Sequence, residues 1–165
     1  AGDERGAARA QARANKATEH LGNLATDVAV EKAYPGATLL HEGEGQGTFD
    51  RVYAHPDPPP DYIIGEGKGG TARNTSSRVG ADGLRHQQGR PEYRDVVTNV
   101  MAESDDPGAQ IIGRRLLGAG DSVVYVEARQ PLITTTDSSG RTTTTLGTIQ
   151  GSTYSPARRD PGDDT

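Results

Sequence analysis

Cysteine is absent from this 165-residue chain and so is tryptophan, and there are only one Phe, one Met and six Tyr. Without cysteine there is no disulfide staple, no thiolate zinc site, no cysteine nucleophile and no redox clue to compartment. No run approaches the roughly 20 apolar residues that a membrane span needs. Hydrophobic residues make up 32% and aromatics 4%, so the core has to be small. Glycine and proline are plentiful instead, 22 and 10 residues, about a fifth of the chain. Many turns follow from that. The length suits one domain better than two well-packed ones. The chain opens Ala1-Gly2-Asp3, with no initiator Met and no signal-peptide pattern, and reads as a piece cut from something longer.

A net charge of −5 argues, taken whole, against a nucleic-acid binder. The charge is unevenly spread, however. From Lys68 to Arg94 the cations Lys68, Arg73, Arg78, Arg85, Arg90 and Arg94 stand against Asp82 and Glu92, about +4, leaving about −9 for the remainder. A basic loop and helix start beside carboxylates suits a polyanion approaching a metal site. The plainer alternative is a mobile charged loop.

Residues 1–16 lack apolar periodicity and read as a linker or an exposed helix start. From Ala17, the residues Leu21, Leu24, Ala25, Val28 and Ala29 recur at helical spacing up to Pro35-Gly36, which predicts an amphipathic helix over 17–33. Ala37–Leu40 is a short strand candidate, and Gly43–Gly47 a loop or tight turn. Thr48–Ala54 alternates like a strand, and His55–Asp61 is a proline turn. Tyr62-Ile63-Ile64 enters a second strand, broken by the glycines at 65, 67, 69 and 70. The two strands form an antiparallel hairpin. Residues 71–90 read as a long loop. Pro91 opens a second helix with Tyr93, Val96, Val97, Val100 and Met101 as its core stripe. Ile111, Ile112, Leu116 and Leu117 mark a short third helix. Ser122–Ala128 is a strand, and 132–136 with 141–149 a second hairpin. The domain thus spans 17–154, mixed α/β or α+β around one main sheet, and the tail 155–165 is expected to be disordered.

Gly65-Glu66-Gly67-Lys68-Gly69-Gly70-Thr71 is the densest candidate site. It fits G-x-G-x-x-G formally, but Glu66 would set a carboxylate beside a pyrophosphate, and no helical pattern follows Gly70. A P-loop fails because Tyr62 stands where its first glycine belongs. On a strand, Glu66 and Lys68 point to the same face, and Asp50 lies on the preceding hairpin strand. Two carboxylates and an ammonium gathered there make a metal site: Mg²⁺ takes one or two carboxylates and keeps several waters, lowers the pKa of a water, and leaves the ammonium to orient it or to offset phosphoryl charge. The glycines leave the backbone open to a bulky substrate. The bland alternative is a Glu66–Lys68 surface salt bridge with Asp50 in a turn. His20, His41, His55 and His86 are the raw material of a metal-independent ribonuclease, but no spacing pairs them.

Together, Leu21-Gly22, Gly47-Thr48-Phe49-Asp50, Gly65-Glu66-Gly67-Lys68-Gly69-Gly70 and Gln88-Gly89-Arg90-Pro91-Glu92-Tyr93 resemble the PD-(D/E)xK, or restriction-endonuclease-like, nuclease superfamily. More narrowly, the stretch from about Lys16 to Met101 resembles the nuclease toxin domains at the C-termini of bacterial polymorphic toxins. Phe49 replaces the family's often-cited proline, a departure that many members share. The resemblance implies a mixed central sheet flanked by helices, Asp50 and Glu66 as ligands of Mg²⁺ or Mn²⁺, and Lys68 in catalysis. Gln88 becomes an accessory site residue, with a helix-cap amide as the alternative. A first-helix acid often joins the site. Glu19, Asp27 and Glu31 are candidates, with Asp27 at the spacing from Gly22 that the family's glutamate usually has; a solvated helix face is the alternative for each. Arg73, Arg78, Arg85 and Arg90 would then bind the substrate.

The expectation is a metal-dependent nuclease hydrolysing phosphodiester bonds, with DNA favoured over RNA. The resemblance further implies delivery from a bacterial cell as part of a larger secreted toxin, action in the target-cell cytoplasm, and a cognate immunity protein. The alternatives are a toxin domain cleaving transfer RNA, and a non-catalytic interaction module presenting the threonine-rich hairpin 132–149.

Overall fold

The structure, a computed structural model, describes residues 2–45, 47–69 and 77–154, so Arg73 and the tail 155–165 lie outside the described residues. In chain order its elements are α1 (Gly2–Ala33), β1 (Thr38–Glu42), β2 (Arg51–Ala54), β3 (Tyr62–Gly69), β4 (Ser77–Val79), β5 (Arg85–Gln87), α2 (Pro91–Ala102), α3 (Pro107–Ala119), β6 (Val123–Gln130), β7 (Leu132–Thr136), β8 (Thr142–Leu146) and β9 (Gln150–Tyr154). Five strands make the main sheet in the order β1-β2-β3-β6-β9. Neighbours pair antiparallel except β3 and β6, which run parallel. The fold is mixed α+β, as the sequence leads one to expect. The parallel pair needs a long crossover, and the chain between β3 and β6 supplies it with β4, β5, α2 and α3.

Alternation along β3 sorts the molecule into layers. Ile64 packs with Phe49, Val52 and Tyr125 against Tyr93, Val97 and Met101 of α2 and Ala109, Ile112 and Leu116 of α3. Ile63 turns the other way, joining Tyr53, Val126 and Val30 of α1. The α2/α3 side is held by large buried side chains, each worth about 1.5–3 kcal/mol on leaving water. The α1 side is held by close approach. A methyl on Gly22 would meet the carbonyl carbon of Gly67 at 2.9 Å, and methyls on Gly67 and Gly69 would overlap the backbone of Gly22 and Thr18. This corrects two sequence expectations. The glycines do not break the strand, which pairs with β6 from Tyr62 through Gly69. Nor do they leave the backbone open to substrate, because α1 fills that side.

Close packing also turns α1 relative to its expected stripe. Ala25, Thr26 and Val30 are buried, whereas Leu24 and Val28 are exposed. The helix itself begins at Gly2 and is exposed over residues 5–17. The β2–β3 hairpin has the expected antiparallel pairing. The expected loop over 71–90 contains the β4–β5 hairpin, pairing Ser77 with Gln87 and Val79 with Arg85. In its turn Asp82 accepts from the Leu84 N–H at 2.9 Å and meets His86 at 3.0 Å. Helix α3 starts earlier than its apolar residues suggested, because Asp106 accepts from Gly108 and Ala109 N–H at 3.3 and 3.0 Å, an N-cap. Strand β9, not expected from the sequence, closes the sheet against β6. The β7–β8 hairpin forms its own ribbon, exposed along both strands.

Candidate active site

Asp50, Glu66, Lys68 and Gln88 line one cavity of about 380 Å³, together with Gly45, Thr48, Ser77, Arg78, Arg85 and Tyr93. Its carboxylates arrive from either side of the β2–β3 hairpin. Asp50 sits just before β2, behind the fully buried Phe49, whose ring meets Tyr125 edge-on with centroids 6.1 Å apart. Gly43 N–H donates to the Asp50 carbonyl at 3.0 Å, and Gly67 N–H lies 3.4 Å from the Asp50 carboxylate. Glu66 and Lys68 follow Ile64 on the α2 face of β3.

Gln88 stands between those two side chains. Its amide nitrogen donates to Glu66 Oε2, and its Oε1 accepts from Lys68 Nζ at 3.0 Å. One amide thus holds a carboxylate and an ammonium in fixed relation, which an ordinary Glu–Lys surface pair lacks. Glu66 is only 4% exposed. Burial, then the charge of Asp50 and a hydrogen bond with it, push its pKa well above the usual carboxylate range, while Lys68 and Gln88 act in the opposite direction. Two adjacent carboxylates, one of them buried where its anion is disfavoured without a cation beside it, suit a hard divalent cation. Among the described residues no group of three or more His, Asp and Glu side chains gathers, so water and phosphate oxygens would complete such an ion's shell, as Mg²⁺ commonly requires.

The cationic side of the cavity comes from the β4–β5 hairpin. Arg78 and Arg85 both line it, and Arg85 donates to Ser77 Oγ at 2.8 Å. Tyr93, expected in the core stripe of α2, is buried and also lines the cavity. Burial, then Glu66, raise the pKa of its hydroxyl, and Arg78 opposes this through its charge and a hydrogen bond. Periodicity alone could not separate Tyr93 from the valines; its hydroxyl, at the helix end beside Gln88, was the available signal.

The remaining candidates lie elsewhere. Asp27 accepts from the Tyr53 hydroxyl at 2.6 Å and pairs with Arg51 at 3.1 Å, on the α1 side of the sheet and away from the cavity. Burial, reinforced by Asp27, holds the Tyr53 hydroxyl in its protonated form. Glu31 accepts from Gly36 N–H at 3.3 Å, and Glu19 is exposed on α1. Arg90 is the exposed N-cap residue of α2 and does not line the cavity. Arg94 is buried and paired with Asp95 at 2.8 Å, so it belongs to the structural interior and not to the basic surface. Three of the four histidines have separate partners: His41 bonds Thr48 at 2.7 Å, His55 packs edge-on against Tyr34, and His86 meets Asp82, while His20 is exposed on α1.

No protein-family model matches the sequence, and neither a curated protein nor a solved structure gives a significant match. No helix of the described residues is long and apolar enough to cross a membrane.

Proposed function

We propose that this chain is a metal-dependent nuclease with a restriction-endonuclease-like core, hydrolysing phosphodiester bonds with DNA as the preferred substrate. The observation that carries the reading is the convergence of Asp50, Glu66, Lys68 and Gln88 on one cavity whose other wall holds Arg78 and Arg85. A salt-bridged surface strand would not need a buried glutamate beside a second carboxylate. Asp50 and Glu66 would hold Mg²⁺ or Mn²⁺, which supplies Lewis acidity and an activated water nucleophile. Lys68, steered by Gln88, presents its ammonium to the developing phosphoryl charge, where a fixed charge is worth most. Arg78 and Arg85 neutralise the entering phosphates. Helix α1 keeps the opposite side of β3 closed, so substrate approaches from the hairpin side. Delivery within a larger secreted bacterial toxin, action in the target-cell cytoplasm and inhibition by an immunity protein belong to the same proposal and rest on the sequence resemblance.

The test is cleavage of plasmid DNA and total RNA with Mg²⁺, with and without excess EDTA. The reading expects DNA cleavage that EDTA abolishes. RNA cleaved with DNA spared selects the transfer-RNA toxin. Full activity in EDTA overturns the mechanism and favours a histidine ribonuclease. The β7–β8 ribbon, exposed along both strands, favours the second reading, a non-catalytic interaction module, which inactivity on both substrates would support.

A further inference from the structure

Strand β6 repeats the pattern of β3. Glu127-Ala128-Arg129 pairs in parallel with Glu66-Gly67-Lys68, setting Glu66 beside Glu127 and Lys68 beside Arg129. Parity fixes the face. Tyr125 belongs to the buried cluster of Ile64 and α2, whereas Val126 packs with Val30 of α1. Glu127 and Arg129 lie two and four residues beyond Tyr125 and therefore share the face of Glu66 and Lys68. Both are half-buried. On β9 the row continues with Gln150 beside Arg129.

Lys68 and Arg129 stand side by side on strands about 4.8 Å apart. Like charges directly opposite on neighbouring strands destabilise a sheet, and an anion lying across the two cations relieves that repulsion.

We propose that Lys68 and Arg129 form a phosphate-binding row, along which the substrate backbone crosses from β3 to β6 roughly perpendicular to the strands. Arg129 grips the phosphate next to the one attacked at Lys68. The inference rests on the nuclease reading and adds to it the path of the substrate and a binding residue. The planar guanidinium offers a fork matched to two phosphate oxygens, which lysine cannot reproduce.

The experiment is steady-state cleavage of a labelled DNA duplex in Mg²⁺ over a series of KCl concentrations, for the parent, Arg129→Gln, Arg129→Lys and Gln150→Lys. Arg129→Gln should raise KM roughly tenfold, with the loss falling on KM more than on kcat, and should flatten the log–log salt dependence by about one phosphate contact. Arg129→Lys should recover the salt slope but only part of the KM. Gln150→Lys, an exposed change on the edge strand, should lower KM and steepen the slope by about one contact, which tests the row independently of any folding defect at Arg129. Parent-like KM and slope in Arg129→Gln and Gln150→Lys, with the parent cleaving, overturn the row and leave the nuclease standing. A parent that neither binds nor cleaves nucleic acid overturns both.

Discussion

The two sides of β3 do opposite work with alternate residues of a single strand. Gly65, Gly67 and Gly69 carry no side chain because α1 lies against them, with Gly22 and Thr18 at backbone contact. Ile64, Glu66 and Lys68 face the other way, the first into the core and the next two into a polar cavity. On the α1 side, stability comes from steric fit; on the α2 side, the carboxylates and the ammonium cost stability and supply chemistry. The difference explains why a strand so poor in side chains is buried: the glycine side lets α1 press close and fixes the height at which Glu66 and Lys68 stand. Adjacent substitutions should therefore fail in different ways.

The largest effect expected is at Lys68. Lys68→Ala should slow cleavage by about 10²–10³-fold, the scale of losing one transition-state electrostatic contact. Mg²⁺ affinity should hold or rise, since a neighbouring cation has gone, and the melting temperature should stay close to the parent's. One residue away, Gly67→Ala should do the reverse. Its methyl would overlap the Gly22 backbone, not a flexible side chain, so α1 must shift. About 3 kcal/mol of stability should be lost, or roughly 6–12 °C for a chain of this size. Gly118→Ala on α3, where nothing lies within 4 Å of the added methyl, is the control and should be neutral or stabilising by up to about 1 kcal/mol. Thermal melts beside single-turnover rates measure both. Equal loss of stability in Lys68→Ala and Gly67→Ala would abolish the division between the faces.

Glu66 sharpens the same contrast through pH. Its folded-state pKa is raised above the ordinary 4.5 by burial and by Asp50, so between that value and the raised one the folded chain binds more protons than the unfolded chain. Metal-free stability is then greatest below the ordinary value and falls as pH rises through the raised one. Glu66→Gln keeps the shape and removes the charge. In EDTA it should flatten the decline in melting temperature from pH 5 to 8 and leave the variant more stable than the parent at the alkaline end, while weakening metal-dependent cleavage. A parent whose melting temperature rises with pH over this range would mean that Glu66 ionises without penalty.

How much of this could be read from the sequence depends on which contacts make each element. The β2–β3 hairpin, the second helix and the grouping of Asp50, Glu66 and Lys68 rest on local alternation, a proline turn and i, i+2 geometry. Gln88 was reached through the resemblance, and what it does there, an amide bridging Glu66 to Lys68, needed the fold. Strand β9 was not legible, because Gln150-Gly151-Ser152-Thr153-Tyr154 has no apolar alternation and owes its strand form to pairing with β6. The β4–β5 hairpin was hidden by polar, glycine-punctuated residues whose turn is tied by Asp82. Asp27 had the right spacing but the wrong side of the sheet, and only the positions of Arg51 and Tyr53 decide that.

The smallest effect expected is on α1, where periodicity and packing disagree. The apolar repeat points Leu24 and Val28 inward, but a helix pressed against glycines has room for Gly22, Ala25 and Thr26 at its contact line. Leu24 and Val28 are accordingly 46% and 54% exposed, while Val30 is 1% exposed. Thr26 supports the tight contact by returning its hydroxyl to Gly22 O at 2.9 Å, satisfying a buried donor without needing space from β3. Leu24→Ser should therefore change stability by no more than about 0.5 kcal/mol, whereas Val30→Ala should cost about 2 kcal/mol through lost burial and a cavity. Denaturant melts of the two variants measure the difference. If Leu24→Ser is the more damaging, the apolar stripe faces the sheet after all, Gly22 cannot lie against Gly67, and the steric account of the glycine side fails with it.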